Sequence, residues 1–205
     1  MTENTATKED LIQEQILQAA KQLFLMYGLA KVTMDDVAKA IGKGRSSLYY
    51  YYKSKDEILD AVVNLELKAI RATMAKAVDQ ATTTEEKINI FFVSKLKLVR
   101  EKGPFFDALE SGMDADAISS FNEAKLVIHQ GTIKWEGTLL NKILTDGIAN
   151  GELKAIEKND LDIRIFVMLS TLHGLKREMR MEKNVRDIEP VIDQLTQMVM
   201  HGLYK

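Results

Sequence analysis

The amino-acid sequence describes an all-α protein, with a small N-terminal three-helix head carrying a helix-turn-helix and a larger helical domain behind it. Three observations lead there. Apolar residues recur every three or four positions along most of the chain, no stretch alternates as a half-buried strand would, and Thr33 to Ile58 reads as two short helices around a glycine turn with a third beginning at once. The 205 residues are 46% hydrophobic and 28% charged with only two prolines, which suits a well-packed soluble protein and argues against disorder.

From the N-terminus, a polar tail leads to Thr7, which with Asp10 opens a first helix; Ile12, Ile16, Leu23 and Tyr27 follow at helical spacing until Gly28 stops it. Thr33 and Asp36 form a capping box for the second helix, whose stripe is Val37, Ala40 and Ile41 and whose end is Gly42. Gly44 opens a third helix in which Leu48 and Tyr52 face the second while Ser46, Ser47 and Tyr50 point away. Ser54 and Glu57 start a fourth, with Ile58, Val62, Leu65 and Ala69 on one face, running to about Gln80. Beyond a polar break at Thr82 to Thr84, Ile88, Phe92, Leu96 and Val99 predict a fifth helix ending at Gly103 and Pro104. Phe105 and Phe106 then open a short apolar turn or helix that ends near Gly112.

The stretch from about Ser119 to Ala149 is helical in pattern but contains Gly131, Gly137 and Gly147, each costing about 1 kcal/mol against Ala. Either it bends or something packs closely there. A helix from Asn159 carries Leu161, Ile165, Met168, Leu169, Leu172 and Leu175 over more than one face, which suggests burial on two sides. After a charged turn from Arg180 to Asp187, the last helix has Pro190 in its first turn and Ile188, Val191, Ile192, Leu195, Met198, Val199 and Leu203 along it. Eight or nine helices and no sheet are expected.

Charge separates the helix-turn-helix from the rest. Lys39, Lys43, Arg45, Lys53 and Lys55 fall between Val37 and Lys55 with no Asp or Glu among them, although the whole chain has a net charge of −2. A local basic patch serves phosphates whatever the total. On Gly42, Leu48, Tyr49, Tyr51, Tyr52, Lys53, Ser54, Lys55 and Ile58 the sequence resembles the TetR-type bacterial transcriptional repressors, whose signature runs glycine, a few variable positions, Leu-Tyr-x-Tyr-Phe, Lys-x-Lys and an apolar residue. Gly44 stands where that family usually places a Ser, and Tyr52 where it has Phe. The motif spans roughly the first quarter of the chain; the remainder matches the family only in length and helical character.

The resemblance implies a helix-turn-helix DNA-binding domain over residues 1–53 and a ligand-binding and dimerisation domain over 54–205, joined by the fourth helix. It gives Tyr49, Tyr51 and Lys55 phosphate contacts and sets Tyr50 against bases. Four consecutive tyrosines on a helix point in four directions, so at least one of Tyr49 to Tyr52 faces outward. Arg45 either makes a bidentate contact to guanine or contacts a phosphate. Thr33, Lys43, Ser46 and Ser47 complete the expected DNA-binding set. The partner is a pseudo-palindromic double-stranded DNA operator bound by a homodimer, its dimer interface formed by the last two helices with Leu172, Leu195, Met198 and Val199.

An apolar or aromatic small-molecule effector is implied by the same resemblance, in a cavity drawing on Phe92, Phe106, Met113, Phe121 and His129, although such residues are also ordinary core material. His129, His173 and His201 form no metal-binding pattern, and no metal or other cofactor is expected. The run from Gly42 to Ser47 lacks the preceding strand and the spacing of a phosphate-binding loop. Asp35, Asp36, Asp56 and Glu57 are helix-start charges, and no catalytic set of residues is visible. Without cysteine, signal-peptide run or membrane-length apolar stretch, the chain reads as cytoplasmic. Two other readings stay open: a DNA-binding regulator without a ligand, and a helical small-molecule-binding enzyme or carrier using the His129 region.

Overall fold

A computed structural model describes residues 7–110, 113, 115–181 and 187–204. The expected polar tail before Thr7, Gly112 and most of the charged turn after Arg180 lie outside them. Among the described residues there are eight helices and no strand: α1 Lys8–Tyr27, α2 Met34–Ala40, α3 Arg45–Tyr51, α4 Lys55–Asp79, α5 Thr84–Glu110, α6 Ala115–Ala149, α7 Lys158–Met181 and α8 Ile188–His201. They divide into two compact units, Met1–Ile70 with Lys102–Ser120, and Arg71–Glu101 with Phe121–Lys205.

In the first unit, local chemistry fixes where the helices begin. Thr7 accepts from the Asp10 amide at 3.1 Å while the Asp10 carboxylate accepts from the Thr7 amide at 2.8 Å, and Thr33 and Asp36 repeat the exchange at 3.2 and 2.9 Å. Gly28 ends α1 with φ 79°, a region open to glycine at little cost. α1 buries Ile16, Ala20 and Phe24. Tyr27, expected on that stripe, is exposed, because the buried row is offset from it by one position of the helical repeat. Likewise Ala38 is buried in α2 and Ala40 exposed, and α4 buries Leu59 and Val63 beside Ile58 and Val62 while Ala69 is exposed. A part-buried ion pair between Lys21 and Glu66, at 2.5 Å, ties α1 to α4.

The second unit has one apolar core, with Ile88, Phe91 and Phe92 of α5, Leu140 and Leu144 of α6 and Leu172 of α7 fully buried at its centre. Its helix ends are tied by polar bonds: the Thr84 amide donates to Glu152 at 2.7 Å, and Asn89 donates to Asp193 at 2.9 Å. Arg164 donates to the Gly202 carbonyl at 3.1 Å.

Two sequence expectations are corrected. α5 does not stop at Gly103 and Pro104 but runs through them to Glu110, so Phe105 opens no separate element. Proline inside a helix costs about 3 kcal/mol, and burial of Phe105 and Leu109 in the next turn offsets much of that. α6 starts earlier than Ser119, at Ala115, and runs unbroken through its three glycines. At Gly147 close packing is the reason: a Cβ would run into the Thr84 hydroxyl and come within 3.2 Å of Leu153. At Gly137 a Cβ meets nothing nearer than 3.8 Å, so the same argument does not extend there.

Candidate nucleic-acid interface

The turn between α2 and α3 is set by two backbone bonds and one glycine. The Gly42 amide donates to Lys39 and the Lys43 amide to Ala38, each at 3.0 Å, and Gly42 takes φ +65°, where an L side chain is strained. Gly44 is the N-cap of α3 with ordinary extended angles and no side-chain acceptor. α3 is anchored on its inner side by Leu48, the one fully buried side chain of this helix. Tyr52 is half-buried but leaves the helix, as its C-cap in extended conformation, instead of standing one turn beyond Leu48.

The outer side presents Arg45, Ser46 and Tyr50, with Lys43 exposed in the turn and Ser47, Tyr49 and Tyr51 half-buried. Tyr50 is 66% exposed, packed edge-on against Tyr51 with ring centres 5.0 Å apart. The Arg45 guanidinium lies 5.5 Å above the Tyr49 ring, and its Nη2 is 3.4 Å from the Tyr49 hydroxyl. Its Nε is 3.2 Å from Asp35 Oδ1, near enough for an ion pair yet not aligned as a hydrogen bond. Tyr49 first and Asp35 second raise the Arg45 pKa further. Asp35, read from sequence as a helix-start charge, is thus also the partner of Arg45. It stands in the first turn of α2, ten residues before Arg45, and only the fold brings it to α3.

The two motif lysines also have partners within the chain. Lys53 Nζ donates to the Tyr49 carbonyl at 2.7 Å, closing the C-terminus of α3. Lys55 Nζ donates to the Leu29 carbonyl, also at 2.7 Å, pinning the loop after α1 to the start of α4. Glu57 reaches back to the Lys53 amide at 2.7 Å while Ser54 accepts from the Glu57 amide at 3.2 Å, so the sequence's capping box closes one residue farther out than expected. Thr33 spends its hydroxyl within its own box, 2.6 Å from Asp36.

The residues expected around an effector are distributed between the units. Phe92, Phe121 and His129 belong to the second; Phe92 is fully buried in its core, Phe121 buried and His129 exposed. Met113 belongs to the first and is half-buried, and the Phe106 side chain lies outside the described residues. Of the expected interface residues, Leu195 and Val199 are half-buried and Met198 is 67% exposed. Leu172 is corrected: it is fully buried within its own chain and has no surface for a partner. Sequence reading passed over Ile163, Phe166 and Val167, which are 60, 71 and 55% exposed on one face of α7. Their apolar character was legible, but an α7 apolar on several sides does not say which side its own chain covers.

A short helix seated by one buried leucine, presenting cationic, hydroxyl and aromatic groups outward and following a glycine turn, defines a helix-turn-helix protein of the DNA-binding class. Residues 16–62 match the family model described as bacterial regulatory proteins, tetR family. Over that stretch the chain carries the DNA-binding segment of the tetR family, and the curated proteins to which it is similar over most of its length are HTH-type transcriptional regulators. It is 24% identical over 191 residues to YhgD of Bacillus subtilis, an HTH-type transcriptional regulator, covering 92% of this chain and 94% of that protein. In fold it is similar to a TetR transcription regulator from Haloarcula marismortui, with a TM-score of 0.69, 19% identity and coverage of 94% and 98%. It is likewise similar to the regulator FadR of Bacillus subtilis in complex with stearoyl-CoA, with a TM-score of 0.61, 18% identity and coverage of 93% and 99%. Among the described residues no helix is long and apolar enough to cross a membrane.

Proposed function

We propose that the protein is a ligand-responsive repressor whose homodimer reads a pseudo-palindromic operator in the cytoplasm. The exposed face of α3 carries this reading: Arg45, Ser46 and Tyr50 stand outward on a helix locked by Leu48, with Lys43 beside them. Arg45 and Tyr50 meet base edges in the major groove, while Thr33, Lys43, Ser46, Ser47, Tyr49, Tyr51 and Lys55 line the phosphates. Dimerisation through α7 and α8 is supported by Ile163, Phe166, Val167 and Met198, a set of large apolar side chains left open to solvent on two adjacent helices of the sequence. The two heads then meet successive major grooves about 34 Å apart. An apolar effector acting through the second unit is supported by the stearoyl-CoA bound to the similar regulator of Bacillus subtilis.

Selection of bound duplexes from a random library tests the reading. A two-fold symmetric motif bound more tightly than random DNA at moderate salt is expected, with affinity falling steeply as salt rises. Uniform binding of all sequences would overturn it.

A further inference from the structure

Inside the second unit lies a polar cluster that DNA reading does not use. Lys95 of α5 and Glu136 of α6 form an ion pair, their side chains only 7 and 4% exposed. Burying two charges costs several kcal/mol per ion before their attraction is counted, and two apolar residues often serve stability as well. Stability alone therefore gives the pair no purpose. The bond occupies Glu136 Oε1; Oε2 is buried and has no hydrogen-bond partner among the described residues. A buried carboxylate oxygen in that condition calls for a donor.

The surroundings say which donor. His173 of α7 is half-buried, and its pKa is lowered to about 4 by burial first and then by Lys95, His129 and Lys176, so it is neutral at physiological pH. His129 stands beside it with ring centres 5.1 Å apart and is exposed. His129, His173 and then the Lys95–Glu136 pair thus form a series of rising burial from solvent inward. Around the Glu136 carboxylate the named groups Lys95, Lys176, His129 and His173 are cationic or neutral and disfavour a cationic head group, while the open Glu136 oxygen disfavours an anionic one. A hydroxyl suits both sides. It donates to Oε2, and its oxygen accepts from Lys95, whose ammonium has three protons and gives one to Oε1.

We propose that Lys95 and Glu136 bind the hydroxyl of an otherwise apolar effector, an alcohol or phenol, entering past His129 and His173. The proposal rests on the ligand-responsive reading above and names the effector's polar group.

Trp135, the chain's one tryptophan, is the neighbour of Glu136 in sequence and has the Arg71 guanidinium 5.8 Å from its ring centre, so its fluorescence reports this region without DNA. The full-length protein is titrated with decan-1-ol, decanoate and decylamine, three probes sharing one apolar tail. Saturable binding of the alcohol at least tenfold tighter than either charged probe is expected. The double variant Lys95→Met with Glu136→Leu removes the pair without stranding a charge; it is expected to melt no lower than wild type and to bind the three probes with equal affinity. Tighter binding of the acid or amine, no saturable binding of the alcohol, or an unchanged preference in the double variant would each overturn the proposal. Equal affinities in the wild type would mean a structural ion pair only. Duplex selection is run in parallel, so a failed hydroxyl site with intact operator binding leaves the regulator standing, and the reverse result removes the regulator.

Discussion

Arg45 is held by its own protein before any DNA arrives, between the Tyr49 ring and a carboxylate that pairs with it in imperfect alignment. A guanidinium so placed is oriented but not tightly bound, and a guanine edge or a phosphate can take it from Asp35. If Arg45 reads a base, Arg45→Ala should relax preference at one position of each half-site by roughly tenfold, measured by duplex selection. Asp35→Asn removes a negative charge from the same face; random duplexes should bind severalfold more tightly and the salt dependence should steepen, measured by anisotropy titration across salt concentrations. Lys55 carries a different expectation. Because its ammonium already holds the Leu29 carbonyl, Lys55→Ala should lower the melting temperature as well as weaken all duplexes alike, by about 1 kcal/mol or more of stability.

Helix starts were legible because a capping box lies within four residues. Thr7 with Asp10 and Thr33 with Asp36 needed no knowledge of the rest of the chain. The end of α5 was not legible: Pro104 is a strong local stop, and what carries the helix past it is burial of Phe105 and Leu109. The same limit hid the Lys95–Glu136 pair, whose members are 41 residues apart in sequence. A signal was nonetheless present, since Lys95 stands four after Phe91 and seven after Ile88 on the buried stripe of its helix. At the start of α5, Glu86 accepts from the Thr82 and Thr83 amides and the Thr82 hydroxyl, which lowers its pKa to about 2. Folded, it binds fewer protons than it does unfolded, so its contribution is complete above the ordinary carboxyl range and is lost as pH falls toward about 2. The melting temperature of Glu86→Gln should therefore lie below wild type at pH 7 and approach it at pH 3; an equal gap at both would show that charge is not what the cap requires.

For the molecule as a whole, the contrast between Leu172 and Phe166 separates folding from assembly. They are six residues apart on α7, yet one is fully buried and the other 71% exposed. Leu172→Ala should cost about 2–5 kcal/mol of stability in chemical denaturation, as core truncations do. Phe166→Glu should leave each chain folded but yield monomers by sedimentation, with operator binding lost because one head reaches only one half-site. A wild type that sediments as a monomer at micromolar concentration would defeat the paired expectation. The sequence showed that α7 was too apolar for one neighbour, but the choice of inward residues depends on how α5, α6 and α8 pack around it, and that information lies outside any one helix.

The reciprocal clasps at Thr7, Thr33 and Thr83 also bear on the order of events during folding. Each closes over four neighbouring residues, so the loop that must be ordered first is short and its entropic cost small. The registers of α1, α2 and α5 can be set before distant segments meet, leaving collapse to join helices whose starting points are already decided. In a pulse-labelling experiment the amides of Asp10, Asp36 and Glu86 should resist exchange earlier than that of Ser47, whose helix begins at Gly44 with no side chain to hold it.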